Sequence, residues 1–401
     1  MGEIPLGKPI ITGSGYRTLL VSEHLIPKSH ADNISMGLRA CSDFYSEVDY
    51  TESYKLYGLD GLESLIRQAI IVNKINVVVV LLGIAKLIYP EFLNSIRQRQ
   101  KVKVIIIFPD SEHCFESHDR YYAQCADLSW LLMPGMLGTF KLYGFECASG
   151  LGLDPTLYRK HELPKDIDVS FVGGLYRANR AEYVNYLESN GINIIVAGYG
   201  NLGQSLTPQE MNELICRSKI HLNFTGVVSD DKAIHARIKQ CKGRNIEIPF
   251  LGTFMLSEYA PGLETLFVDG SEYIFFRTKE ELLEKVRYYL LHDAKREAIA
   301  AQGHRRATIN YTSQIVAQRM LVHLDQITLY GQNMPIFDRQ FLKEFCSVRF
   351  YWLGWFLSIL SWRNAYAELL LIFKLKAIAP LSATKCFARG CLHALRYRSA
   401  A

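Results

Sequence analysis

The stretch INVVVVLLG, residues 75–83, is a continuous apolar run within a chain of 401 residues. A run of this length is typical of a strand that is buried on both faces, as in a parallel sheet covered by helices. KVKVIIIF (101–108) predicts a second such strand, and the helix-like DGLESLIRQAIIVNK (60–74) precedes the first. Strands that alternate with helices predict right-handed crossovers and therefore a parallel α/β sheet.

The alternation extends through the first half of the chain. TLLVSE (18–23) and DLSWLLM (127–133) predict further strands. Residues 85–100 and 117–126 predict helices, the former either kinked or started late by Pro90. The first half is therefore predicted to form one doubly wound domain.

A second unit follows a break in this pattern. GLGLDPTLYRKHELPKD (150–166) is rich in proline, glycine and charge, which indicates a linker. The alternation then restarts with the strand DVSFVGG (168–174) and continues to the helix KEELLEKVRYYLLHD (279–293). We predict an α/β chain with two Rossmann-like, doubly wound domains, 1–155 and 166–330, facing a cleft.

Residues 331–401 depart from the pattern and predict a helical tail. Residues 341–401 hold nine Lys or Arg and two acids, whereas the whole chain has a net charge of +5. The uncharged run FYWLGWFLSILSW (350–362) carries three of the four tryptophans and is shorter than the roughly 20 residues of a membrane span. Two interpretations stay open: contact with a membrane surface through 341–401, or helices that pack on the domains.

Composition excludes several classes of protein. Hydrophobic residues make up 49% and charged residues 21%, which is a globular composition. The nine cysteines are odd in number and lack CxxC spacing, so we expect reduced thiols and a cytoplasmic location, with the inner face of a membrane as the refinement. No signal peptide is apparent, and the main body lacks the basic stripe of nucleic-acid binding proteins.

Two segments of the second unit predict an anion site. In VSFVGGLYRANR (169–180), Gly173 and Gly174 follow a strand, and Arg177 and Arg180 lie at the start of a helix. This arrangement suits a phosphate, although a tight turn with solvated arginines is the alternative.

The second segment is KQCKGRNIEIPFLGTFMLSEY (239–259). Lys239, Lys242 and Arg244 precede Glu247 at the start of a short helix. The cations suit a diphosphate and the acid suits a ribose; a solvated basic face, with Glu247 complementing the helix dipole, is the alternative.

Residues 168–311 resemble the C-terminal donor domain of GT-B glycosyltransferases, in particular the CgeB-like (spore maturation) subgroup. The resemblance rests on DVSFVGGLYRANR, SKIHLNF, GRNIEIPFLGTFMLSEYAPGLETLF and DGSEYIFFRTKEELLEKVRYYLLHDAKREAIAAQGHRR. The family pattern R-x-F-E-x-x-A-x-G-x-F-x-L is met at Arg244, Glu247 and Gly252, with Ile246 and Phe250 as departures. The first half is matched more weakly.

The resemblance implies a role for several residues. Glu247 matches the glutamate that binds the donor ribose, and Arg177 or Arg180 matches the basic position near the diphosphate. Many retaining relatives have a second glutamate where this chain has Lys239, so no retaining mechanism is inferred. Members of this fold commonly need no metal, so we expect no metal and no cofactor, with a nucleotide sugar as substrate.

The remaining site residues are candidates from position alone. Asp110 and His113 follow the strand at 101–108, together with Glu112, and His24 follows the strand at 18–23. Each could act as a base at an acceptor hydroxyl, although a loop histidine is more often an ordinary surface residue.

Two residues of the second unit complete the donor-binding candidates. Tyr199 follows a strand in AGYG, where it either stacks on the base or forms a plain turn. Asn223, in HLNF, either faces the cleft or is buried as a structural asparagine.

The function predicted from these residues is sugar transfer from a nucleotide sugar to a glycan, lipid-linked glycan or protein acceptor. A non-catalytic scaffold or coat-associated protein of the same fold is the first alternative, because the second glutamate is missing. An epimerase acting on the nucleotide sugar is a weaker one, because no paired acids or histidines from both domains are evident.

Overall fold

The structure is a computed structural model that describes residues 14–23, 30–83, 87–176, 179–198, 206–227, 238–327 and 337–400. His24, Arg177 and Tyr199, all predicted site residues, lie outside the described residues.

The first half forms a six-stranded parallel sheet in the order β2-β1-β3-β4-β5-β6. Its strands are β1 (Arg17–Ser22), β2 (Phe44–Asp49), β3 (Val77–Leu81), β4 (Lys103–Phe108), β5 (Leu128–Leu131) and β6 (Cys147–Ser149). All five residues of β3 are buried, as the apolar run predicts. Val78 and Val80 belong to the core on one face of the sheet, and Val77 and Val79 to the core on the other.

Helices cover both faces of this sheet. They are α1 (His30–Cys41), α2 (Tyr50–Val72), α3 (Pro90–Gln100), α4 (Ser111–Cys114), α5 (Arg120–Ala123) and α6 (Leu137–Leu142). Pro90 is the first residue of α3, so the late start is the correct alternative, and proline at this position has no N–H to leave unsatisfied. The single helix predicted for 117–126 is wrong in detail, because a π-helical turn, Phe115–Asp119, separates α4 from α5.

The second half forms a five-stranded parallel sheet in the order β11-β10-β9-β7-β8. Its strands are β7 (Ile167–Val172), β8 (Ile194–Ala197), β9 (Ser218–Asn223), β10 (Phe254–Glu258) and β11 (Ile274–Phe276). The described helices of this half are α7 (Arg180–Ser189), α8 (Pro208–Arg217), α9 (Arg244–Phe250), α10 (Leu263–Leu266), α11 (Lys279–Leu291) and α12 (Asp293–Asn310). Helix α8 begins with a capping box: Thr207 and Glu210 each accept a hydrogen bond from the other's backbone N–H, at 3.2 and 2.7 Å.

The chain then returns to the first sheet through α13 (Ser313–Gln326), which packs on α1. A side-chain carbon added at Gly37 would lie 2.2 Å from the carbonyl oxygen of Ser313, so glycine permits this close approach. The two halves also share a hydrophobic cluster that contains Val79 of the first sheet and Ile246 of α9. The domains are therefore joined by a packed core as well as by the chain.

The tail forms α14 (Arg339–Ser358), α15 (Trp362–Leu375) and α16 (Pro380–Ala400). Trp352 and Trp355 are buried in the core of the first domain, and the ring of Trp352 lies 5.0 Å from that of Tyr54. For these two tryptophans the structure matches the second interpretation of the tail, helices that pack on the domains, because they fill space beside α2; Trp362 is exposed. Among the described residues, no helix combines the length and the apolar character that a membrane span requires.

Candidate functional site

The two sheets bring polar loops together where their strands end. Asp110 and Glu112 follow β4 of the first sheet, and Gln240 belongs to the segment before α9. The buried side-chain amide of Gln240 donates to Asp110 Oδ1 at 2.8 Å and to Glu112 Oε2 at 2.7 Å. A single amide thus links two acids of one domain to the other domain. His113, on α4, is exposed.

Glu112 is the acid with the more enclosed position. A side-chain carbon added at Gly135 would lie 2.8 Å from Glu112 Oε1 and 3.2 Å from the carbonyl oxygen of Pro261, so Glu112 lies where the domains touch. Burial raises the pKa of Glu112 to about 7, with Asp110 adding repulsion, while the nearby Lys242 opposes the shift. A carboxyl with this pKa exchanges its proton near neutral pH, as a general base or acid requires.

Glu112→Gln is expected to remove a pH dependence of stability. The pKa of Glu112 rises from 4.5 to about 7 on folding, so between these pH values the folded chain keeps a proton that the unfolded chain has lost. The wild-type free energy of unfolding therefore gains from this proton at low pH, and the gain is lost as pH rises through the window. Relative to the variant, the wild type should lose on the order of 3 kcal/mol between pH 4.5 and pH 8, measured by urea denaturation.

Glu284→Gln, which changes an exposed carboxylate on α11, is the control and should leave the pH profile unchanged. If the free energies of unfolding of wild type and Glu112→Gln differed by the same amount at every pH, the pKa of Glu112 would be the same in the folded and the unfolded chain.

Lys239 does not lie free in the cleft, because it forms an ion pair with the buried Glu258 at the end of β10. The other carboxylate oxygen of Glu258 accepts from the backbone N–H and the hydroxyl of Thr225, at 2.9 and 3.1 Å. An acid is therefore present beside Lys239, the position at which the resemblance implies a glutamate in many retaining members. Sequence reasoning missed Glu258; its signal was an acid at the end of the buried strand FMLSE.

Arg244 and Glu247 form an ion pair on α9. Glu247 is almost fully buried, whereas 26% of the Arg244 side chain is exposed, so the cation is the member that solvent or a ligand can reach. Tyr158, in the connection between the sheets, lies close enough to Arg244 for the two groups to interact electrostatically. Helix α9 has only seven residues and contains Pro249, so its dipole contributes less than the cations do.

Asn223, at the end of β9, is buried and is not exposed to the cleft. Its amide donates to Ser257 Oγ at 3.1 Å, and Asn245 of α9 donates to the same oxygen at 3.0 Å. Asn223 therefore fixes α9 against β9 and β10, which is the structural alternative that the sequence left open.

Gly173 and Gly174 form the turn after β7. A side-chain carbon added at Gly198, after β8, would lie 2.9 Å from the backbone nitrogen of Gly173, so glycine permits two adjacent turns to touch. Arg180 is buried at the start of α7, where its guanidinium donates to the carbonyl oxygen of Gly174 at 3.2 Å. Arg180 thus braces this turn, and the prediction that it binds a ligand stays a prediction.

Among the described residues, no group of three or more His, Cys, Asp or Glu is placed to hold a metal ion. Lys239, Lys242 and Arg244 flank Gln240 in the sequence, and the ammonium of Lys242 donates to the side-chain oxygen of Gln240. The site combines these cations with acids from both domains, an arrangement that suits a ligand with an anionic part and several hydroxyl groups.

Comparison with known families finds one match, to the glycosyl transferase-like family, over residues 178–322. This region contains α9 with Arg244 and Glu247, as well as Lys239 and Glu258. No curated protein matches the sequence.

Solved structures show the same architecture at low sequence identity. HepE from Anabaena, in complex with UDP-glucose, aligns with 78% of this chain and 100% of its own, at 10% identity and a TM-score of 0.58. Sucrose-phosphate synthase from Thermosynechococcus elongatus aligns with 78% and 98%, at 9% identity and a TM-score of 0.53. These matches identify the pair of domains as the GT-B fold.

Proposed function

We propose that this chain, a glycosyltransferase with the GT-B fold, takes a UDP-hexose as its donor and belongs to the CgeB-like subgroup. The observation that carries the proposal is the Gln240 bridge, which holds Asp110 and Glu112 of the first domain at 2.8 and 2.7 Å from the second. The bridge brings these two acids to the segment that leads into the Arg244–Glu247 pair. That pair lies inside the transferase-like region. UDP is the first choice of nucleotide because a structure of the same fold binds UDP-glucose.

The second domain holds the donor in this proposal. Arg244, freed from part of its ion pair, turns towards the diphosphate and uncovers Glu247, which then accepts hydrogen bonds from the ribose hydroxyls. Lys242 adds a second cation, so the negative charge of the diphosphate is balanced without a metal. The absence of any effect of EDTA on transfer would be the expected result.

The first domain activates the acceptor. Asp110 is exposed at the end of β4 and Glu112 has a pKa of about 7, so either can take the proton of an acceptor hydroxyl. The acceptor oxygen then forms a bond to the anomeric carbon, and the bond from that carbon to the diphosphate breaks with its electron pair leaving on UDP. His113 and His24 remain candidates for the same proton.

The acceptor is proposed to be a glycan or lipid-linked glycan at the cytoplasmic face of a membrane. The support is the charge of the tail, which concentrates cations in residues 341–401. Anionic lipids attract such segments.

A thermal-shift screen with UDP-, GDP-, CDP- and ADP-sugars tests the donor, combined with an assay for released nucleoside diphosphate. A UDP-sugar at about a hundred times its Kd should add about 2.7 kcal/mol to the free energy of unfolding, and the others should add little. Binding without any release of UDP, with acceptor glycans present, would favour the non-catalytic scaffold. No shift with any sugar nucleotide would overturn the donor assignment.

A further inference from the structure

Helix α15 exposes an apolar stripe on one side. Its members are 37–68% exposed and recur at helical spacing: Trp362, Tyr366, Leu369, Leu370 and Phe373. On a regular α-helix these positions cover a band about 100° wide. Scattered apolar residues are ordinary on a protein surface, but a continuous band of large side chains indicates an interaction surface.

The orientation of this stripe is fixed by the opposite side of the helix. Ala365, Glu368 and Ile372 of α15 are buried, and the carboxylate of Glu368 lies 3.6 Å from the guanidinium of the buried Arg349 on α14. The stripe therefore points away from the domains and cannot turn inward without exposing this pair.

The exposed charges of the segment that carries the stripe have one sign. Residues 359–400 contain seven Lys or Arg, all exposed: Arg363, Lys374, Lys376, Lys385, Arg389, Arg396 and Arg398. The segment contains one acid, Glu368, which is fully buried. Arg363 and Lys374 lie along one edge of the stripe, since they fall about 100° and 120° from Trp362 around the helix.

We propose that the stripe of α15 inserts into the head-group region of an anionic lipid bilayer, with the surrounding cations on the lipid phosphates. An amphipathic helix with aromatic side chains on its apolar side and cations beside them lies in the plane of such an interface. A second copy of this chain fits less well, because a symmetric contact through the stripe would bring Arg363 and Lys374 of both copies together, and residues 359–400 offer no exposed acid to pair with them. The inference refines the membrane location proposed above and does not depend on sugar transfer.

Sedimentation of the full chain with vesicles tests this surface. Vesicles of phosphatidylcholine with about 30 mol% phosphatidylglycerol should bind the protein, and pure phosphatidylcholine should bind it much less. Raising NaCl from about 0.1 M to 1 M should weaken binding, because the screening length falls from about 10 Å to 3 Å.

The double variant Trp362→Ser/Phe373→Ser should reduce partitioning to the anionic vesicles about tenfold or more, because two large apolar side chains no longer leave water. Both residues are exposed, so the fold should be kept, and an unchanged melting temperature would show this. Leu142→Ser is the matched control: it removes an exposed leucine from α6 of the first domain and should leave partitioning unchanged.

Three results would overturn the proposal. They are no binding to anionic vesicles at low salt, equal binding by wild type and the double variant, or a dimer in solution that the double variant dissolves while vesicles bind neither protein. A wild-type chain that binds anionic vesicles but shows no thermal shift with any sugar nucleotide would instead contradict the proposed donor site alone.

Discussion

Glu247→Gln is expected to weaken the binding of the donor nucleotide sugar about 10- to 100-fold and to lower transfer accordingly. The substitution keeps the size of the side chain but removes the charge that accepts hydrogen bonds from the ribose. A hydrogen bond to a charged group contributes about 1.5–3 kcal/mol, which corresponds to this range of affinity. Calorimetric titration with the sugar nucleotide that binds the wild type, well below the melting temperature, measures the effect.

The result separates binding from folding. Glu247 is almost fully buried and paired with Arg244, so the variant should also lose some stability. Glu188→Gln changes an exposed carboxylate on α7 and should alter neither property. A wild-type affinity in Glu247→Gln, with a lowered melting temperature, would assign the Arg244–Glu247 pair to the architecture of α9 and remove it from the donor site.

Strong periodicity made most of the fold predictable from sequence. The apolar runs at 75–83 and 101–108 can bury the side chains of both faces only inside a parallel sheet that helices cover, and they form β3 and β4. Elements that bury little were missed: β2, with one buried residue of six, is an edge strand, and β11 has three residues. Such elements form because a neighbouring strand offers hydrogen bonds, and this cannot be seen in the local sequence.

The candidate site was predictable only as a list of residues. The sequence gave no sign that Gln240 forms hydrogen bonds with Asp110 and Glu112 of the other domain. It also gave no sign that Lys239 forms an ion pair with Glu258. The Gln240 contacts join residues 130 and 128 positions apart, so they depend on how the domains are placed, and the Lys239–Glu258 contact depends on where β10 ends.

The tail shows the same limit for a different reason. The run at 350–362 has the composition of a membrane interface, but Trp352 and Trp355 are covered by α2 and its neighbours. Composition reports how much apolar surface a segment has, whereas burial depends on which side of each helix meets the domain. The exposed stripe on α15 became visible only when these sides were known.

Glu368→Leu is expected to lower the free energy of unfolding by about 3–5 kcal/mol, because it leaves the guanidinium of Arg349 buried without this carboxylate. Both side chains are fully buried, and neither oxygen of Glu368 has a hydrogen-bond partner among the described residues. Arg349→Met should cost less, although it also removes a guanidinium that lies 4.5 Å from the ring of Phe345. Burial raises the pKa of Glu368, so the isolated acid can become neutral by binding a proton, whereas arginine keeps its charge at neutral pH.

The double variant Arg349→Met/Glu368→Leu should recover most of the stability lost by Glu368→Leu, because no charge then remains buried between α14 and α15. The four proteins form a double-mutant cycle that urea denaturation can measure, and the two substitutions should be strongly non-additive. Additive losses would mean that the charges do not interact across 3.6 Å and that packing alone holds α15. The Arg349–Glu368 pair also sets which side of α15 faces outward. The double variant should therefore keep its affinity for anionic vesicles. Glu368→Leu alone should lose affinity to the extent that α15 detaches from the first domain.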